Sequence, residues 1–158
     1  MRRKDRAQPR DFSLALIDRC THGVMAISTG ESVPYCLPLS FVRVEDDLCF
    51  HCARAGRKID LLRQFPQVCV TFVGQDQPVF LPPVEYTTYF QSVIVTGTAS
   101  EVTDPDEKVR LLRALCQKVT PEHMDSFEPA LKDSLAITAV WKVHMEEISG
   151  KAKFERQR

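Results

Sequence analysis

The residues best suited to chemistry lie in the segment LCFHCARAGRK, which occupies positions 48–58. At its end, Arg57 and Lys58 follow Gly56 and precede apolar residues 59, 62 and 65, which repeat at helical spacing until Pro66. The start of a helix exposes unpaired N–H groups and the positive end of the helix dipole. Two cations in that first turn favour a bound phosphate, although two solvated side chains would fit the spacing equally well.

The same segment contains a C-x-x-C, formed by Cys49 and Cys52 with His51 between them. Leu48 and Phe50 alternate with polar or small residues, which predicts a half-buried strand, and residues three apart in a strand face opposite sides. The sequence holds no second C-x-x-C or H-x-x-H that would complete four zinc ligands. We therefore expect two packed thiols and no metal site, with zinc or dithiol chemistry as the alternative.

His51 is the titratable side chain of this segment that could exchange a proton near neutral pH. A histidine on a strand is more commonly a hydrogen-bonded packing residue than a catalyst. The residues alone therefore leave both roles open for His51.

Composition and charge limit the class of protein. The 158 residues are 44% hydrophobic and 27% charged, which fits one globular domain. Lys plus Arg and Asp plus Glu each number 21, so bulk charge indicates neither nucleic acid nor membrane as a partner. A basic N-terminal arm is expected to be a loosely packed tail. Because no apolar run reaches transmembrane length and no signal-peptide pattern is visible, we expect a cytoplasmic protein.

Hydrophobic periodicity predicts the elements that position this segment. In chain order they are a helix from Phe12 to about His22, strands over 23–28, 33–44 and 48–53, a helix over 57–65, a strand over 68–73, a loop over 74–83, a strand over 87–102, a helix over 105–119, an irregular or weakly helical link over 121–133 and a strand over 136–148. Pro34 and Pro38 indicate an edge strand or a bulge, and Gly97 a bulge. Tight turns between strands and few helices favour a small antiparallel barrel with peripheral helices.

Five segments are in register with these elements: MRRKDR at 1–6, PLSF at 38–41, FHCA at 50–53 with GRKID at 56–60, YFQSVIV at 89–95 with Gly97 and Ala99, and ISGK at 148–151. Together they resemble the flavin-binding split barrels of the pyridoxamine 5′-phosphate oxidase superfamily, and within it the nitroimidazole-resistance (Nim) branch. The resemblance implies a mainly β (α+β) fold, an antiparallel split β-barrel with peripheral helices. We accordingly divide the chain into a basic arm at 1–11, an FMN-binding split-barrel domain at 12–151 and a charged tail at 152–158.

The resemblance also implies a function. It predicts a homodimer that binds FMN at the subunit interface and passes electrons to a small-molecule acceptor such as a nitroimidazole or another nitroaromatic, with His51 as the catalytic residue. The predicted FMN contacts are Pro38, Leu39, Ser40, Phe41, Val42, Phe50, His51, Cys52, Ala53, Arg57, Lys58, Gln91, Ser92, Ile148, Ser149, Gly150 and Lys151. Among them, Arg57 and Lys58 match the phosphate-binding pair of the family.

Two departures from the family pattern narrow this expectation. Many relatives carry tryptophan where this chain has Ile148, so stacking on the flavin edge is not expected here. The substrate-phosphate residues and the C-terminal segment of the true pyridoxamine phosphate oxidases have no counterpart in residues 151–158, which makes vitamin B6 oxidation an unlikely activity. A flavin- or haem-binding carrier or sensor without turnover of its own is the alternative function.

Overall fold

The fold is known from a computed structural model, which describes residues 2–155. The strands are β1 (Ala7–Gln8), β2 (His22–Ile27), β3 (Tyr35–Ser40), β4 (Val42–Val44), β5 (Asp47–Ala53), β6 (Gln67–Leu81), β7 (Glu85–Glu101) and β8 (Thr138–Lys153). The helices are α1 (Arg10–Arg19), α2 (Arg57–Gln64), α3 (Pro105–Val119) and α4 (Phe127–Ser134), with 3₁₀ turns at Lys4–Arg6 and Pro121–Ser126.

All the strands belong to one antiparallel sheet of order β3-β2-β6-β7-β8-β5-β4, with β1 added beside the end of β8. The sheet curls until β3 approaches β5 without pairing with it. This curled half-barrel with helices at its periphery confirms the predicted split β-barrel.

The interior of the half-barrel holds the main hydrophobic core. Phe41 packs edge to face against both Phe50 and Phe72, with ring centroids 5.6 Å and 5.7 Å away. A second core lies beneath α3, where Leu111 and Leu115 meet apolar residues of β4, β5 and β8. β5 therefore contributes to both cores, one on each of its faces.

Several local predictions are confirmed. β3, which carries Pro38, is an edge strand, as a proline without an N–H donor requires. The β7–β8 register shifts between Thr96 and Gly97, which is the predicted bulge. Asp104 caps α3 by accepting a hydrogen bond of 2.7 Å from the backbone N–H of Glu107.

Two element predictions were wrong. The predicted loop over 74–83 lies largely in β6, which continues to Leu81 because a bulge between Val73 and Gln75 lets it keep pairing with β7. The predicted strand over 33–44 divides into β3 and β4 at Phe41, whose side chain enters the core. Of the two alternatives for the link over 121–133, the structure has the helical one, a 3₁₀ turn followed by α4.

The chain termini pack more closely than a loose arm and tail would. β1 lies inside the segment that we assigned to the basic arm, and it pairs with Gly150 and Lys151 of β8. β8 in turn continues to Lys153, inside the assigned tail. Met1 and residues 156–158 lie outside the described residues, and the division into arm, domain and tail stays a prediction. In the described part of the chain, no helix is long and apolar enough to cross a membrane.

Candidate functional site

The start of α2 carries the predicted phosphate site. Gly56 adopts φ 123°, a conformation that side chains rarely take, and no atom lies within 4 Å of where its Cβ would be. The first intrahelical hydrogen bonds are donated by Ile59 and Asp60 to the Gly56 carbonyl, so the N–H groups of Arg57 and Lys58 have no intrahelical acceptor. No side chain caps this helix. The helix start is therefore open and rich in donors.

Aromatic rings hold the two cations. The Arg57 guanidinium carbon lies 5.1 Å from the centre of the Tyr35 ring, and Lys58 Nζ lies 5.6 Å from the centre of the Phe50 ring. Within residues 2–155, neither cation forms an ion pair with a carboxylate. Both charges are thus held in place by neutral groups and stay available to an anion. Tyr35 was missed by the sequence analysis, because no sequence pattern links it to α2.

β3 and β5 bring the neighbouring predicted contacts to the same end of the barrel. Pro38 and Ser40 are exposed on the outer side of β3, whereas Leu39 packs against the core. The Phe41 and Phe50 side chains are buried, and Val42 belongs to the core under α3. We name this part of the site the α2 half-site; it is formed by residues 38–42, 50–53, 57 and 58.

His51 is exposed on β5 and lies on the same strand face as Cys49, opposite the face that carries Phe50. Its imidazole has no hydrogen-bond partner in the described part of the chain. Partial desolvation, with a smaller contribution from the charge of Lys58, lowers the pKa of His51 below its usual 6.5. A neutral, unpartnered imidazole beside a cation is suited to accept or orient a proton near neutral pH.

The two thiols of the C-x-x-C diverge, as strand geometry predicts. Cys49 is buried in the core under α3, and Cys52 packs on the other face of β5 against the main core. Burial raises the pKa of the Cys49 thiol to about 12, so it is protonated at neutral pH. This geometry gives the pair no common ligand position.

The remaining predicted contacts form a second group, named the β7–β8 half-site: Gln91, Ser92, Ile148, Ser149, Gly150 and Lys151. Strand pairing brings them together, since Ser92 lies opposite Lys151 and Ile94 opposite Ser149. Ile148 packs against the main core, and Gly150 is buried beneath Ser13. Only Ser149 of residues 148–151 is fully exposed.

Gln91 is held by polar partners that the sequence did not reveal. Its Oε1 accepts a hydrogen bond of 3.1 Å from Arg19 Nη2, and its Nε2 donates one of 3.1 Å to Gln75 Oε1. Arg19 ends α1, and 72 residues of sequence separate it from Gln91. No local pattern could have found this contact.

The two half-sites are separated within one chain. β3 and β7 are not neighbours in the sheet, because β2 and β6 lie between them. β5 does neighbour β8, but it pairs with residues 138–144 of β8 and not with residues 148–151. The outer sheet face, meaning the outward side chains of residues 22–26, 36–40, 67–73 and 92–98, connects the two groups. It comprises His22, Val24, Ala26, Cys36, Pro38, Ser40, Gln67, Cys69, Thr71, Val73, Ser92, Ile94, Thr96 and Thr98, none of them acidic, lysine or arginine.

The fold defines a split-barrel protein whose helix α2 begins with two cations. The chain belongs to the pyridoxamine 5′-phosphate oxidase family, whose model matches residues 9–152. A comparison with curated protein sequences finds no significant match.

Three solved structures show the same fold. A candidate 5-nitroimidazole antibiotic resistance protein from Bacteroides thetaiotaomicron is 24% identical, with 91% of this chain and 84% of that chain covered and a TM-score of 0.78. The flavocytochrome Anf3 from Azotobacter vinelandii is 23% identical, with coverages of 98% and 72% and a TM-score of 0.85. An FAD- and haem-binding protein from Mycobacterium smegmatis is 20% identical, with coverages of 95% and 74% and a TM-score of 0.81.

Proposed function

We propose that this protein is an FMN-dependent oxidoreductase that transfers electrons to a small acceptor such as a nitroimidazole or another nitroaromatic. The observation that carries the proposal is the open start of α2, where Arg57 and Lys58 have no carboxylate partner in the described residues. Membership of the pyridoxamine 5′-phosphate oxidase family supports a flavin as the ligand of this site.

The α2 half-site suits the phosphate of a flavin nucleotide. The first turn of α2 carries a guanidinium, an ammonium and two N–H groups without an intrahelical acceptor, beside a glycine that leaves open space. A phosphate would accept hydrogen bonds from these groups and stand at the positive end of the helix. Arg57 and Lys58 hold the phosphate in this proposal, and the outer edge of β3 lies along the ring system.

A homodimer would complete this site. The outer sheet face exposes Val24, Val73 and Ile94 at 45%, 60% and 47% without a charged residue among them, which is typical of a surface covered by another protein. Since the β7–β8 half-site adjoins this face, association through it would bring that half-site towards the α2 half-site of the second copy. The proposal therefore places FMN between two chains.

His51 is the proposed catalytic residue. Bound FMN in its reduced form would supply the two electrons that convert a nitro group to a nitroso group. That reduction also consumes two protons and releases water, so protons must reach the acceptor oxygen. His51 is exposed and has no hydrogen-bond partner in residues 2–155, and its lowered pKa favours the neutral imidazole. In this proposal the imidazole takes up a proton from solvent and passes it to the acceptor, or it orients the acceptor.

The cofactor is tested first. The purified protein should be yellow, and heat denaturation should release FMN that is identified by chromatography and mass. Protein that carries no flavin and binds none on addition would refute the proposal. Release of FAD alone would refute the choice of FMN.

Turnover is tested separately. Under anaerobic conditions, flavin that dithionite has reduced should be reoxidised by a nitroimidazole, with nitroso or amine product formed in proportion. His51→Ala should keep its flavin and lose most of the turnover rate. The matched control is His123→Ala, since the His123 side chain is 73% exposed in a 3₁₀ turn. Equal rates for wild type and His51→Ala would remove His51 from the mechanism.

A flavin- or haem-binding carrier or sensor without turnover is the second candidate. The similarity to a flavocytochrome and to an FAD- and haem-binding protein favours it. This candidate would be favoured over the first if the protein binds flavin but no nitroaromatic reoxidises the reduced flavin.

A further inference from the structure

A concavity lies at the C-terminal end of α1, and we name it the Arg19 pocket. It measures about 360 Å³ and lies between the end of α1, the start of β2 and the bulge of β6. Its polar lining residues are Arg19, Thr21, His22, Gln75 and Gln91. We propose that the Arg19 pocket binds the carboxylate of a small organic anion.

Charge is the first reason. No aspartate or glutamate lines the pocket. The only hydrogen bond that the Arg19 guanidinium makes within residues 2–155 goes to the neutral Gln91 Oε1. By contrast, Arg43 binds both oxygens of Asp18, at 2.9 Å and 2.6 Å. A guanidinium has five N–H donors, so Arg19 keeps enough of them to bind a planar carboxylate with two parallel hydrogen bonds.

Preorganisation is the second reason. A chain of amides fixes the wall opposite the helix, because Gln91 donates to Gln75 and Gln75 donates to Gln77, each at 3.1 Å. Gly74 lets the end of α1 approach the bulge, where any Cβ would overlap the Leu16 side chain. The pocket is therefore shaped by backbone and by oriented amides, with a cation at one side.

The identity of the anion follows from the position of Gln91. Gln91 lines the Arg19 pocket and is also a flavin contact in the proposed function, which places the anion next to the cofactor. We infer that the electron acceptor carries a carboxylate, and this part rests on the proposed function. The carboxylate site itself does not depend on it.

Binding of two isosteric probes tests the site. Calorimetric titration of the full chain should show that 4-nitrobenzoate binds more tightly than the uncharged 4-nitrobenzamide. Arg19→Gln should weaken 4-nitrobenzoate about tenfold or more, the amount expected for one charge-assisted pair, and should leave 4-nitrobenzamide unchanged. Arg110→Gln is the matched control, since that side chain is 58% exposed on α3. Unchanged thermal unfolding of Arg19→Gln would show that the fold is intact.

Three outcomes would overturn the proposal: equal binding of both probes, 4-nitrobenzoate affinity unaffected by Arg19→Gln, or displacement of 4-nitrobenzoate by inorganic phosphate at equal concentration. The titration is repeated on flavin-free protein. Carboxylate binding that persists in a protein unable to bind flavin would refute the proposed function and keep the anion site. Binding of flavin without carboxylate selectivity would refute the anion site and keep the proposed function.

Discussion

Removing the cations at the start of α2 gives the sharpest test of the site. Arg57→Ala deletes a guanidinium that lies over the Tyr35 ring, and Lys58→Ala deletes an ammonium that lies over Phe50. Each side chain can make one charge-assisted hydrogen bond to a phosphate, worth about 1.5–3 kcal/mol. Each 1.4 kcal/mol corresponds to about tenfold in Kd, so each variant should bind FMN about 10- to 100-fold more weakly.

The assay can use the single tryptophan of the chain. Trp141 is 3% exposed and pairs across the sheet with Phe50, next to the α2 half-site. Flavin that binds there should quench its fluorescence, and titration of flavin-free protein then gives Kd. Raising the salt concentration should weaken the wild type more than either variant, because salt screens the charges that the variants lack.

The matched control lies on the same helix. Arg63 sits at the other end of α2, is 56% exposed and pairs with Glu101 at 3.0 Å. Arg63→Ala should bind FMN as the wild type does, since an exposed ion pair contributes little and stands away from the helix start. If Arg57→Ala and Lys58→Ala also bound FMN with wild-type affinity, the phosphate would not lie at α2 and the reasoning would fail.

Three further predictions concern the framework of the site. Iodoacetamide at pH 8 should modify Cys49 only after denaturation, as read by peptide mass, because burial raises the pKa of Cys49 to about 12; labelling of Cys49 in the native protein would contradict its burial. Gly97→Ala should lower the free energy of unfolding by about 1–3 kcal/mol in urea, since its Cβ would overlap the backbone of β8; unchanged stability would contradict the packing. Lys58→Gln should raise the NMR titration midpoint of His51, because it removes a nearby positive charge. Since the pKa of His51 is lowered in the folded state, the free energy of unfolding should decrease as pH falls through about 6.5.

Local patterns predicted the parts of the fold that depend on neighbouring residues. The open start of α2 follows from Gly56, from the cations after it and from the apolar repeat that Pro66 ends. The edge position of β3 follows from Pro38, and the divergence of Cys49 and Cys52 from the two-residue period of a strand. Each of these features is set within a few residues of sequence.

The errors have a different physical origin. Residues 74–81 contain glycine, proline and polar side chains, which are typical of a loop, yet they pair with β7 across a bulge. Pairing with a distant strand outweighs local propensity there.

The sequence by itself determined the donors of the proposed phosphate site, because a helix start and its cations are contiguous in the chain. Only the tertiary structure decided which groups contact those donors and which predicted contact residues lie far from them. The Tyr35 ring under Arg57, the Arg19 hydrogen bond to Gln91 and the separation of the two half-sites by β2 and β6 all join residues far apart in sequence. Such contacts depend on how the sheet curls. Packing of the core between distant strands sets that curl, so no local sequence pattern predicts it.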